Sequence, residues 1–162
     1  MASIRSYTVR DAYGHEVDKL AAIVGRILAE APTYSRLAFD HEKTANTIAG
    51  AILKQPHWFL RVIADSDDEP VGGICGVNPI SDFGSDRIAH DITMMIEKAH
   101  RGHCTRQFIQ CCEEFRDWAI ADGAKIVKLG VSSGIKIDSI SAFLERLGFA
   151  RIGGMHAHIV GV

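Results

Sequence analysis

Between Ile88 and Ile109 the chain reads IAHDITMMIEKAHRGHCTRQFI: an extended, mostly apolar run, a short basic turn, then an amphipathic helix from about Cys104. A strand that enters a helix through an Arg-Gly turn makes a place for an anion. The first N–H groups of a helix have no partner within it, and the helix dipole is positive at that end. The residues that would meet the anion are Arg101, Gly102, His103, Cys104, Thr105 and Arg106. Glycine lets a backbone approach a ligand closely, and arginine adds a cation suited to phosphate. A pyrophosphate fits such a place. Cys104 also raises a second chemistry. A thiol at a helix N-terminus beside Arg101 and His103 can have a lowered pKa and act as a nucleophile.

The remaining reactive types suggest less. Cys75, Cys104, Cys111 and Cys112 show no C-x-x-C spacing, which argues against a zinc site or a redox pair and for reduced, buried thiols. His156 and His158 alternate on a terminal strand and share a face, but no third ligand is evident from spacing, so no metal is expected.

The elements that must position these groups follow from periodicity. Arg5 to Arg10 reads as a first strand, and His15 to Ala29 as a helix with Val17, Leu20, Ala21, Val24, Ile27 and Leu28 inward. Asp40 is a good N-cap for a second helix carrying Ala45, Ile48, Ala49, Ile52 and Leu53 on one face. Trp58 to Ala64 and Val71 to Val77 read as a hairpin across a polar turn, with Gly72, Gly73 and Gly76 marking close backbone approach. Arg87 to Ile96 is a long strand, and Thr105 to Ala121 a helix with Phe108, Cys111, Cys112, Phe115 and Ala119 inward. Lys125 to Val131 is a strand, and Ser132-Ser133-Gly134 a turn. Asp138 or Ser139 caps a short helix that Gly148 ends, and two short strands lie between Phe149 and Val160. The order β-α-α-β-β-β-α-β-α-β-β predicts an α/β chain with a mixed sheet covered by helices on both faces.

The chain has 162 residues, the size of one domain, with 47% apolar and 23% charged residues. A net charge of −2 argues against non-specific nucleic-acid binding through a basic surface. No apolar run reaches the roughly 20 residues of a membrane span, and MASIRSYTVRDA lacks the apolar region of a signal peptide. A cytoplasmic location is the expectation.

The element order and two motifs resemble the GNAT N-acetyltransferase superfamily over nearly the whole chain. Its members usually carry Gln/Arg-x-x-Gly-x-Gly/Ala at the strand-to-helix turn, aligned here with Arg101, Cys104 and Arg106, with Gly102 directly after Arg101. Both usual small positions are replaced. Phe143-Leu144-Glu145-Arg146-Leu147-Gly148-Phe149 is similar to the family's aromatic-x-x-Leu-Gly-Phe helix exit. Ser85 to Ala89 and Gly130 to Gly134 resemble a phage-type subgroup.

The resemblance implies a splayed sheet of six to seven strands in a single domain over residues 1–162, and acetyl-CoA as cofactor. It places the pantetheine arm on the backbone edge of Met94, Met95 and Ile96, and the pyrophosphate on the turn Arg101 to Arg106. Several relatives carry a glutamate base eleven residues before the motif's Gln/Arg, and counting back from Arg101 reaches His90. A histidine suits general-base work near neutral pH. Asp91 points to the other face of the strand, and could serve only if a bulge changes the alternation. The usual acid is a tyrosine four residues before the Gly of Gly-Phe. Leu144 stands there, leaving Ser132 and Ser133 as the nearest hydroxyls by topology. Tyr34, Arg36 and Phe39 would lie on the acceptor side.

The implied activity is acetyl transfer to a primary amine, of a small molecule or a protein, by direct transfer in a ternary complex. The competing reading is a catalytically weak or inactive domain that binds acyl-CoA or a protein partner. A phosphate module of another kind is disfavoured, because neither G-x-G-x-x-G nor G-x-x-x-x-G-K-S/T occurs. A homodimer is a reasonable expectation from the resemblance.

Overall fold

A computed structural model describes residues 6–53, 55–130 and 137–153. Strand β1 covers Thr8–Arg10, and a single 3-10 turn at Gly14–Glu16 leads into helix α1, Val17–Glu30. Helix α2 covers His41–Ile52. Strands β2, Trp58–Ala64, β3, Pro70–Val77, and β4, Arg87–Ile96, follow in sequence. A 3-10 turn at Lys98–His100 then delivers the chain into helix α3, Thr105–Ala121. Strand β5, Ala124–Lys128, and helix α4, Ile137–Arg146, complete the described elements.

Local chemistry sets the helix ends. The Asp40 carboxylate accepts the Lys43 backbone N–H at 2.9 Å, which satisfies a donor that α2 itself leaves open. Helix α4 closes with a pair of crossed hydrogen bonds, Phe149 N–H to the Leu144 carbonyl and Gly148 N–H to that of Glu145, both 3.0 Å. Gly148 sits at φ +88°, the left-handed conformation this exit requires and glycine adopts without a Cβ penalty.

The strands form one sheet in the order β1-β2-β3-β4-β5. The first four are antiparallel, and β5 runs parallel to β4 after the α3 crossover. Alternation divides the core into two faces. Phe59, Ile63, Val71, Ile74 and Ala89 pack with Cys111, Cys112, Phe115 and Ala119 of α3 and with Leu144 of α4. Leu60, Val62, Cys75 and Met95 pack on the other face with Leu20, Ala21, Ile23, Val24 and Ile27 of α1 and Ile48 of α2.

Five strands form the sheet among the described residues, against the expected six to seven. Residues 149–153 contain no strand, and the rest of the expected C-terminal pair lies outside the described residues. The glycines of β3 mark close approach. A Cβ on Gly72 would stand 2.4 Å from the Met95 carbonyl oxygen, and one on Gly76 the same distance from the Phe115 ring. All four cysteines are buried and unbridged. Burial pushes the thiols of Cys75 and Cys112 up to about 12, which makes them inert packing groups.

Candidate active site

The pairing of β4 with β5 ends at His90 opposite Lys128. From Asp91 to Ile96 the β5-facing edge of β4 has no strand partner among the described residues. Among the described residues the β4–β5 ladder therefore ends beside the middle of β4. At the point of parting, the Asp91 carboxylate accepts the Gly130 backbone N–H at 2.8 Å.

A β-bulge lies at the same place. Cys75 of β3 pairs with Thr93 of β4, while the next residue, Gly76, pairs with Asp91, so Ile92 is the extra residue on β4. Ile92 is 44% exposed. The bulge resets the alternation. Ala89 and Asp91 face α3, and past the bulge Met94 and Ile96 face it too, whereas Met95 joins the core under α1. Asp91 remains across the strand from His90, because the extra residue comes after both. The side chains of Met94, Met95 and Ile96 fill the core, and their backbone edge toward β5 has no strand partner among the described residues.

His90 is half-buried, and Ala89 beside it points to the α3 face, so alternation turns His90 toward α1 and α2. Its Nδ1 lies 3.2 Å from the Asp91 carbonyl oxygen. A carbonyl only accepts, so this bond requires the proton on Nδ1 and leaves Nε2 with a free lone pair. That is the tautomer a general base needs. Asp91 is in a different state. Removal from water pushes its carboxyl above the ordinary range, although the bonds from the backbone N–H groups of Gly130 and of Asp91 itself, and the nearby His90, act the other way.

The turn after β4 is tightly built. Glu97 N–H donates to the Val71 carbonyl, His100 N–H to Glu97, and His103 N–H to His100, at 2.9, 2.9 and 3.1 Å. Gly102 has φ +84°, and the space where its Cβ would stand is open to 4 Å. Cys104 is the N-cap residue of α3, fully buried, and its Sγ–H reaches the His100 carbonyl at 3.5 Å. No side chain caps α3, and Thr105 and Arg106 are exposed at its first turn. The leading N–H groups of a long helix thus point out of the turn with no internal partner.

Packing constrains two side chains of the turn. Burial pushes the Cys104 thiol up, not down, because its sulfur is packed inward, and this removes the basis for a reactive thiolate there. Arg101 does not extend freely from the turn. Its Nε donates to the Ile96 carbonyl at 2.9 Å and its Nη1 to Glu30 Oε2 at 2.7 Å. The backbone of Arg101 keeps its expected place in the turn.

Leu144 is 6% exposed and belongs to the core beside Phe115. No hydroxyl comes from that position. Ser132, Ser133, His156 and His158 lie outside the described residues. Between α1 and α2, the Phe39 ring lies on the α1 backbone, 2.7 Å from where a Gly25 Cβ would be.

Sequence reasoning missed three features. One is the Glu30 contact of Arg101. Another is the bulge at Ile92. The third is a part-buried cluster at the far end of the sheet, where Asn78 Nδ2 donates to the Asp122 carboxylate at 2.9 Å and His57 Nδ1 meets it at 2.8 Å. Only the spacing of Arg26 and Glu30, matched by Glu97 and Arg101, offered a signal. Among the described residues, no cluster of three or more His, Cys, Asp or Glu could hold a metal, and no helix is long and apolar enough to cross a membrane.

No protein-family model matches the sequence, and no curated protein matches it. Solved structures do match the fold. The chain is similar to an aminoglycoside acetyltransferase from an uncultured soil metagenomic sample, at 17% identity and TM-score 0.65, over 95% of this chain and 97% of that one. It is similar to glucosamine-6-phosphate N-acetyltransferase from Arabidopsis thaliana, at 12% identity and TM-score 0.68, over 96% and 99%. A transcriptional regulator from Bacillus halodurans C-125 aligns at 19% identity and TM-score 0.67, over 95% and 100%. With the parted strands, the bulge and the turn into α3 in place, the chain has the fold of the GNAT acetyltransferases.

Proposed function

We propose that the protein is an acetyl-CoA-dependent N-acetyltransferase that moves an acetyl group to a primary amine by direct transfer in a ternary complex. One observation carries the reading: the open edge of β4 leads directly into the uncapped N-terminus of α3. The two parts suit one ligand. A pyrophosphate needs several N–H donors at once, and the turn presents them with open space at Gly102. An amide-bearing arm needs backbone donors and acceptors, and the β4 edge at Met94, Met95 and Ile96, apart from the Ile96 carbonyl that Arg101 holds, is the proposed place for it.

Bound acetyl-CoA would supply the thioester. The protein would supply position and a base. In this reading the turn residues Gly102, Cys104, Thr105 and Arg106 receive the phosphates through backbone N–H groups, His103 shapes the turn through its bond to His100, and the Arg106 cation adds charge. His90 takes the amine proton on Nε2, the nitrogen its Nδ1 bond leaves basic. Asp91, on the opposite face, bridges β4 to Gly130 at the end of the ladder, which leaves the base role in this proposal to His90. Ser133 is the proposed hydroxyl for the departing thiolate. Reduced, buried thiols suit a cytoplasmic enzyme.

The second reading, binding without turnover, draws on Leu144, whose burial leaves the helix exit without an acid. Thermal unfolding with millimolar acetyl-CoA or free CoA tests the common part. A ligand at about 100 times its Kd stabilises by about 2.7 kcal/mol. An upward shift with both ligands upholds the cofactor, and no shift with either overturns it. Amine-dependent release of CoA then separates enzyme from binder.

A further inference from the structure

The turn between β4 and α3 is tied to α1 by two ion pairs of opposite polarity, Arg26–Glu97 and Glu30–Arg101. Arg26 and Glu30 stand one helical turn apart on α1. Glu97 and Arg101 stand the same distance apart on the turn, with the charges reversed. Arg26 donates to Glu97 through Nε, at 2.8 Å, and through Nη2. Arg101 donates to Glu30 through Nη1 and, with the same guanidinium, to the Ile96 carbonyl through Nε. The two pairs are unequal. Arg26 is 55% exposed, so water and salt screen it. Arg101 is 18% and Glu30 31% exposed, and their short charge-assisted bond is one of two that fix the guanidinium, the other going to the Ile96 carbonyl.

From this we infer that Glu30 and Arg101 are positioning residues that hold the phosphate turn in its binding shape, and that the Arg101 guanidinium acts through the turn and not on the phosphates. The inference rests on the functional reading above. Its physical basis is the fork of Arg101. One nitrogen fixes the last carbonyl of β4 and another fixes the end of α1, so the plane of the guanidinium sets where Gly102 begins. The N–H groups after it bind an anion only if they converge, and convergence is what a loosened turn loses. Lysine, a single point donor on a flexible stem, cannot hold both partners.

The test uses calorimetric affinities of the full chain for CoA and for pantetheine, which lacks the pyrophosphate. Arg101→Lys, Arg101→Met and Glu30→Gln should each weaken CoA about tenfold, the scale of a lost bond to a charged group, and leave pantetheine unchanged. The double variant Arg101→Met/Glu30→Gln should be no worse than either single one. Wild-type affinity in Arg101→Lys beside a loss in Arg101→Met would overturn the inference, because charge alone would then suffice. So would wild-type affinity in Glu30→Gln. Should the wild type bind neither ligand, the functional reading fails, and the clamp is read without ligand. Amide hydrogen exchange across Glu97 to Phe108 should quicken in Glu30→Gln, and unchanged exchange would overturn the clamp itself.

Discussion

Asp91 and Gly130 meet across the mouth of the β4–β5 split, carboxylate oxygen to backbone nitrogen, at 2.8 Å. In a continuing parallel ladder, a β4 carbonyl would take an N–H from β5. Here a side chain takes the Gly130 N–H instead. The substitution ends the ladder and satisfies the donor at once, so the strands part without leaving that group unpaired.

The same contact predicts a pH effect. Removal from water raises the Asp91 carboxyl above its unfolded value. A raised carboxyl binds more protons folded than unfolded, so its contribution is full below the unfolded pKa and is lost as pH rises toward the folded value. Asp91→Asn removes the titration and keeps an acceptor for Gly130. Urea unfolding should therefore show the variant gaining stability relative to wild type as pH rises from the ordinary carboxylate range toward the raised folded value. A difference that stays flat with pH would contradict this.

His90 bears the chemistry in the proposed reaction. His90→Ala should lower amine-dependent turnover about 10²–10⁴-fold, the usual worth of a positioned base. CoA affinity should stay close to wild type, because the side chain faces α1 and α2 while the open strand edge is backbone. Steady-state rates and calorimetry on one preparation decide the matter. An equal loss in affinity would assign His90 to binding.

Gly76 is where β3, the bulge and α3 come closest. A Cβ there would lie 2.4 Å from the Phe115 ring and 3.0 Å from the His90 carbonyl oxygen. Phe115 is fully buried and cannot swing away. Gly76→Ala should cost about 1–3 kcal/mol, the range for overpacking. Chemical denaturation measures it, and an unchanged midpoint would mean that the ring moves freely.

The far end of the sheet predicts acid sensitivity of the opposite sign. Burial acts to raise the Asp122 carboxyl, but hydrogen bonds from His57 and Asn78 prevail and hold it below the ordinary range. A lowered carboxyl contributes stability above its unfolded pKa and loses it as pH falls through the folded value. Asp122→Asn should cost about 1–2 kcal/mol near neutrality, and less in acid. Thermal melts at several pH values would show the gap between the two proteins closing as pH drops.

Much of the fold was legible because its signals are local. Trp58–Ala64, Arg87–Ile96 and Thr105–Ala121 have the bounds that apolar periodicity and turn residues predict. Asp40 and Gly148 act as the caps their types suggest. The first strand is shorter than expected among the described residues, Thr8–Arg10, because only Ala64, Ile63 and Val62 pair with it. The strand, Arg-Gly turn and helix of the candidate site were legible for the same local reason, since they are contiguous in the chain.

What periodicity could not supply was partnership. The bulge at Ile92 depends on how Gly76 sits against β4 and Phe115, which no alternation within β4 records. The parting of the strands depends on Asp91 reaching Gly130, 39 residues away in sequence. The Arg101 side chain meets Glu30 across 71 residues. The sequence by itself determined the elements, their ends and the Arg-Gly turn between β4 and α3, since each rests on neighbours within a few residues. Only the tertiary structure decided which face His90 and Asp91 take, where β4 opens and what holds Arg101, since those bonds join residues that packing alone brings together.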